Sequence, residues 1–110
     1  MRVFITGANG VLGRRLVEQL TDHGHDVAGL VRDADGEAIV NDRGGTPRYG
    51  DVLEPESLDA AIDDGTEVVI HAATAIPEST KPSEDEWAHN DRVRTEGAKN
   101  VLSTLPDSVD

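Results

Sequence analysis

Residues 2–22, RVFITGANGVLGRRLVEQLTD, decide the fold. Arg2 to Thr6 form a short run of β-favouring residues that enters a glycine cluster, and Leu12, Leu16 and Leu20 then recur at helical spacing. The stretch therefore reads as strand, tight turn and amphipathic helix. Its helix is expected to stop near His23-Gly24, where a glycine can take the left-handed conformation that closes a helix.

Within TGANGVLG each glycine has a physical task. Gly7 permits the sharp turn out of the strand, Gly10 lets the backbone approach a ligand closely, and Gly13 lets the helix pack tightly on the sheet. The unpaired N–H groups at the start of the helix, at the positive end of its dipole, suit a pyrophosphate. The spacing alone would fit a plain tight turn; the strand before it and the helix after it are the context of a dinucleotide cradle. Gly7, Ala8, Asn9, Gly10, Val11, Leu12 and Gly13 are accordingly the first expected cofactor contacts.

Outward from this unit the strand–helix alternation continues. Val27 to Val31 read as a second strand, Ala34 to Asp42 as a short helix closed by Gly44-Gly45, and Thr46 to Tyr49 as a brief third strand. Pro55 opens a third helix with Leu58, Ala61 and Ile62 on its apolar face, and Gly65 is expected to close it. Glu67 to Ala73, containing VVIHAA, suits a strand buried on both faces of a parallel sheet. A polar, proline-bearing loop from Thr74 to Pro82 follows. Ser83 and Glu86 form a capping-box pattern for a last helix, whose expected buried stripe is Ala98, Val101, Leu102 and Leu105, with Pro106 ending it. This order predicts an α/β, Rossmann-type parallel sheet of order 3-2-1-4 with right-handed crossovers and helices on both faces.

Composition narrows the possibilities. The 110 residues suffice for one domain spanning 1–110, and a second has no room. Phe4, Tyr49 and Trp87 are the only aromatics, so the core is expected to be aliphatic. The absence of cysteine removes disulfides, thiolate chemistry and zinc knuckles. Neither a signal peptide nor a membrane-length apolar run is present, which makes the cytoplasm the expected compartment. A formal charge of -12 would repel a polyanion, so nucleic acid is not an expected partner. The carboxylate excess, with only Lys81 and Lys99 as lysines, resembles proteins of salt-loving organisms, where salt screens mutual repulsion. His23 and His25 stand among Asp22 and Asp26 in a helix-ending turn, which reads as a solvated loop and not a metal site. Glu84, Asp85 and Glu86 read as a cluster favoured by the helix dipole, and Thr74, Ser79 and Thr80 have no visible base.

The TGxxGxxG form resembles that of the extended short-chain dehydrogenase/reductase family, which includes epimerases and dehydratases. Three further segments agree: Gly50-Asp51-Val52 resembles the third-strand Gly-Asp pair, His71-Ala72-Ala73 the fourth-strand His-x-Ala segment, and EGAKNVL at Glu96 to Leu102 the EGTxNLL segment of the fourth helix. The resemblance implies that Asp51 bonds the adenine amino group and that Asp51, Val52, His71, Ala72, Ala73 and Thr74 line the cofactor cleft. It covers essentially the whole chain. Family catalysis would need a Ser/Thr and a Tyr-x-x-x-Lys pair, but Tyr49 has Leu53 four positions later, so no such pair exists in these residues. The chain ends at LPDSVD, where a fifth strand is expected to begin. On the last helix Arg94 stands where the family often has asparagine, with Asn90 one turn away.

NAD-preferring members of such folds carry an acid at the end of the second strand for the ribose hydroxyls. Here Val31 and Arg32 occupy that place; valine cannot accept those bonds, and an arginine can pair with a 2'-phosphate. NADP is therefore expected in preference to NAD, with Asp33 the residue that would reverse this if it served the ribose. The expected function is the NAD(P)-binding domain of an epimerase, dehydratase or reductase, inactive alone, or else an NADP-binding or sensing module that acts through a partner. An apolar fourth strand left at the sheet edge predicts a homo-oligomer, through Glu67 to Ala73 or the helix carrying Trp87.

Overall fold

The computed structural model describes residues 1–73 and 83–109. Four strands, β1 (Arg2–Thr6), β2 (Asp26–Val31), β3 (Thr46–Tyr49) and β4 (Val68–His71), pair in parallel in the order β3-β2-β1-β4. Four helices, α1 (Val11–Asp22), α2 (Ala34–Asp42), α3 (Pro55–Ala61) and α4 (Glu84–Ser103), alternate with them among the described residues. In register, Phe4 lies beside Ala28 and Val69, and Thr6 beside His71.

The period-2 alternation of a strand sorts the core into two layers. Val3, Ile5, Val27, Val31, Val68 and Ile70 point to the face where Val17 of α1 and Val40 of α2 close one cluster. Phe4, Ala28, Leu30 and Val69 point to the other, against Leu58 and Ala61 of α3 and Val93 and Val101 of α4. The sheet is thus the middle layer of an α/β sandwich whose core is aliphatic around a single buried ring, that of Phe4.

Several sequence expectations need correction. In α1 the buried positions are Gly13 and Val17 flanked by Leu16 and Leu20, whereas Leu12 is 62% exposed because it falls on the turn that faces the site. In α4 the buried face is Asn90, Val93, Gly97 and Val101; Leu105 packs beside it and Leu102 is 69% exposed. The helix leans on the sheet through its first half as well as its last, which rotates the inward stripe away from Leu102. Gly65 does not close α3, since the helix ends at Ala61 and Ile62 is already extended (φ -88°, ψ 112°). Gly65 instead makes room for Arg2, whose Nη1 would lie 2.1 Å from a Cβ at that position. The fourth strand is shorter than Glu67 to Ala73, and all four of its residues are half-buried, because β4 is a sheet edge with one open side. Gly24 takes φ +87° just past the C-cap of α1, as expected for a helix-closing glycine. Thr74 and the loop to Pro82 lie outside the described residues.

Candidate dinucleotide-binding site

The glycine turn sits at the carboxyl ends of the strands, where parallel α/β sheets form their ligand crevice. Gly7 has φ +68°, and a Cβ there would lie 2.6 Å from the Ala72 backbone, so both the turn's handedness and its closeness to the end of β4 exclude a side chain. Gly13 is more constrained: a Cβ would stand 1.8 Å from the Gly7 carbonyl oxygen. Gly10 differs: among the described residues the only atom near its Cβ position is that same oxygen at 3.2 Å, which leaves its outer side open to them. Gly10 is also the N-cap and offers no side-chain cap, and the first helical bond is made by Arg14 N–H to its carbonyl at 2.9 Å. The N–H groups of Val11, Leu12 and Gly13, as first-turn groups, have no intrahelical partner.

Arg14 was not expected at the site. Its Nη2 donates to the Asn9 carbonyl at 2.7 Å and its Nε to the Gly10 carbonyl at 3.2 Å, bracing the turn from outside. A cation in the first turn opposes the helix dipole, and that mismatch was the sequence signal.

Thr6, also unanticipated, organises the neighbouring strand end. Its buried hydroxyl accepts from the Ala72 and Ala73 N–H groups at 3.1 and 3.3 Å and lies 2.7 Å from His71 Nδ1. The Ala72 N–H is shared with the Thr6 carbonyl at 3.2 Å, so Thr6 ties the end of β4 through both its side chain and its backbone. Thr6, bonded to His71, thereby holds the Ala72-Ala73 backbone where it meets Gly7.

On the opposite wall, the Asp51 N–H donates to Ser57 Oγ at 2.9 Å and Asp51 Oδ1 accepts from the Leu53 N–H at 2.9 Å, an Asx turn that leads into α3. The EGAKNVL segment explains itself here. Asn100 Nδ2 donates to the Val52 carbonyl at 2.8 Å, and a Cβ on Gly97 would press on Val52 and on His71 Cε1 at 3.0 and 3.2 Å. One helix thus clamps both the Asp51 loop and the His71 strand end.

These walls enclose a cavity of about 80 Å³ bounded by Gly7, Asn9, Arg32, Asp51, Val52 and Ala73, with Leu30, Gly50 and Val93 completing it. A wider cleft continues over Leu12, His71, Ala72 and Ala73 to Asp91, Arg94 and Thr95 of α4. Of the expected contacts, Ala8 and Val31 are buried in the core and supply only backbone, while Val11 is exposed at the helix start. Strand alternation is the reason: Val31 points to the α1/α2 layer and Leu30 takes the cavity. Asp33 is engaged as the N-cap of α2, its Oδ1 accepting from the Gly36 N–H at 2.8 Å. Tyr49 donates to Glu37 at the far edge of the sheet, and this bond, with Glu37's charge, raises its pKa from the ordinary 10.0.

A parallel 3-2-1-4 sheet with a glycine turn at its crevice defines a Rossmann-type fold. The chain belongs to the NAD dependent epimerase/dehydratase family, whose model matches residues 3–106. Among curated proteins it is 37% identical over 103 residues to a 3-diazoavenalumate denitrifying reductase from Streptomyces sp, covering 93% of this chain and 33% of that protein. It is 40% identical over 75 residues to the photosystem II assembly factor Ycf39 from Synechocystis sp., covering 68% of this chain and 23% of the relative. A short-chain dehydrogenase/reductase superfamily protein from Agrobacterium tumefaciens, solved with bound NAD, shares the fold with a TM-score of 0.72 at 22% identity, over 98% of this chain and 30% of that one. The chain thus spans about a quarter to a third of the length of these relatives.

Proposed function

We propose that the chain binds NADP in preference to NAD, as the cofactor-holding part of a reductase, dehydrogenase or epimerase. The observation that carries the preference is the pairing of Arg32 with Asp33. Arg32 lines the cavity and is exposed, while Asp33 does not line it and its Oδ1 accepts from the Gly36 N–H as the N-cap of α2. Asn9 lies beside Gly36, whose Cβ would stand 3.3 Å from Asn9 Nδ2, which sets a second polar group near the arginine.

In this reading the first-turn N–H groups of α1 hold the pyrophosphate, Asp51 and Val52 flank the adenine, and Arg32 faces the 2'-phosphate. Thr6 and His71 keep the Ala72-Ala73 backbone against the turn and exclude water from beneath it. Bound cofactor supplies hydride chemistry. Proton transfer is assigned to groups outside this chain, because Tyr49 is turned to Glu37 at the β3 edge and has no lysine one turn on. Fluorescence titration with NADPH and NADH tests the preference: NADPH should bind at least tenfold tighter, and Arg32→Gln should remove most of that ratio while leaving NADH affinity within about twofold. Equal affinities in the unaltered chain would overturn it.

A second reading, in which the chain works through association, rests on its apolar edge. Beside β4 a groove of about 330 Å³ is lined by Val69, Ala98, Val101, Leu102 and Leu105. An open strand edge next to such a groove favours coverage by another protein segment, and for the isolated chain we propose a second copy.

A further inference from the structure

We infer that Asn9-Gly10, inside the glycine turn, is a modification site: Asn9 converts to aspartate or isoaspartate without an enzyme, and the carboxylate so formed closes the phosphate cradle. Four asparagines are present. Asn41, Asn90 and Asn100 lie within α2 and α4, where the helix engages the N–H of the following residue, and Asn100 also gives its Nδ2 to the Val52 carbonyl. Asn9 stands outside the helices and is followed by glycine. It is exposed, and among the described residues its side-chain amide has no hydrogen-bond partner.

The chemistry consumes water alone. The Gly10 amide nitrogen, its proton removed by hydroxide, attacks Asn9 Cγ. An N–Cγ bond forms, the Cγ–Nδ2 bond breaks, and Nδ2 takes a proton from water to leave as ammonia, returning the hydroxide. Water then adds to either carbonyl of the five-membered imide and a ring C–N bond breaks. The product is aspartate, or isoaspartate with the chain running through Cγ.

Three features of the turn favour the attack. Negative charge on the deprotonated nitrogen is shared with the Asn9 carbonyl oxygen, to which Arg14 Nη2 donates at 2.7 Å. That nitrogen stands at the positive end of α1, of which Gly10 is the N-cap. Glycine also puts no side chain over it, and among the described residues only the Gly7 carbonyl oxygen lies near a Cβ position there. One feature opposes it: the Gly10 N–H donates to the Gly7 carbonyl at 3.0 Å, so the reaction runs through openings of the turn. The product matters because Asn9 and Arg32 line one cavity. A carboxylate at position 9 sets a negative charge where the NADP reading puts phosphate, and this consequence rests on that reading.

The test incubates the chain at mildly alkaline pH and follows the mass of the proteolytic peptide carrying Asn9. A gain of one mass unit should accumulate there ahead of the peptides carrying Asn41, Asn90 and Asn100, with ammonia released in equal amount. Asn9→Gln should abolish it, since the longer side chain closes only a slow six-membered ring. Arg14→Gln should slow it roughly threefold in the folded chain, with equal rates in urea. No gain at Asn9, an equal gain at all four asparagines, or an Arg14→Gln rate matching or exceeding the parent's when folded would overturn the proposal. Asn9→Asp, which installs the product directly, should keep the parent's urea melt and bind NADPH roughly tenfold more weakly, and full affinity would overturn the closing role. A parent that binds no NADPH would sink the cofactor reading and the closing role with it, while the mass change still decides the modification.

Discussion

At Gly13 one methyl group decides whether the turn can exist. A Cβ 1.8 Å from the Gly7 carbonyl oxygen has no rotamer to escape into, and both partners are backbone. Gly13→Ala should therefore cost about 3 kcal/mol in urea melts and abolish NADPH binding. Gly10→Ala should fold with stability within about 1 kcal/mol of the parent, since among the described residues only one atom lies near its Cβ, yet weaken NADPH binding at least tenfold, because that Cβ enters the space we propose for phosphate. A folded Gly10→Ala with full affinity would remove the phosphate assignment. Tyr49 supplies a pH dependence of known sign. Its bond to Glu37 raises the folded pKa above the ordinary 10.0, so the stabilisation is complete below pH 10 and is lost as pH rises through the folded value. The stability difference between the parent and Tyr49→Phe should be constant at neutral pH and shrink above pH 10, as followed by urea melts across that range.

The helices show how local chemistry and distant clamps divide the labour. Ser83 and Glu86 close a capping box at the start of α4, with Ser83 Oγ accepting from the Glu86 N–H at 3.2 Å. Ser83→Ala should cost about 1 kcal/mol by urea melt without changing NADPH affinity, because the cap lies far along the helix from Gly97. Asn100 is the contrasting case. Replacing it by alanine strands the Val52 carbonyl and should cost about 1.5 kcal/mol. It should also weaken NADPH binding severalfold, since Val52 and Asp51 bound the part of the cavity we propose for the adenine. An Asn100→Ala chain with unaltered affinity would show that the Asp51 loop holds its shape without the clamp.

Over the whole molecule, charge and shape set the behaviour. With 22 acidic and 10 basic residues the folded chain repels itself, and salt shortens the reach of that repulsion from about 10 Å at 0.1 M to about 3 Å at 1 M. The Tm should rise by several degrees between 0.1 and 2 M KCl, and a flat profile would remove the salt-loving reading. The open β4 edge and its groove predict a dimer by light scattering at high salt, shifted toward monomer by Leu102→Glu, which places a charge on a residue 69% exposed at that groove. No described helix is long and apolar enough to cross a membrane.

Sequence by itself determined the element order, the 3-2-1-4 sheet and the glycine turn, because these follow from periodicity, breakers and crossover handedness acting over short stretches. Ala34–Asp42 and Thr46–Tyr49 came out with the boundaries expected. Only the tertiary structure could decide which side of a strand faces the cavity, and so put the Leu30 side chain there with Val31 turned to the core, or engage Asp33 as a cap beside Arg32. It alone brought Thr6 to His71 and Asn100 to Val52, across 65 and 48 residues. Such pairs leave no mark on local spacing, since their partners meet only after the chain has folded. The same holds for Gly65, read from sequence as a helix stop and found in space to be the floor under Arg2.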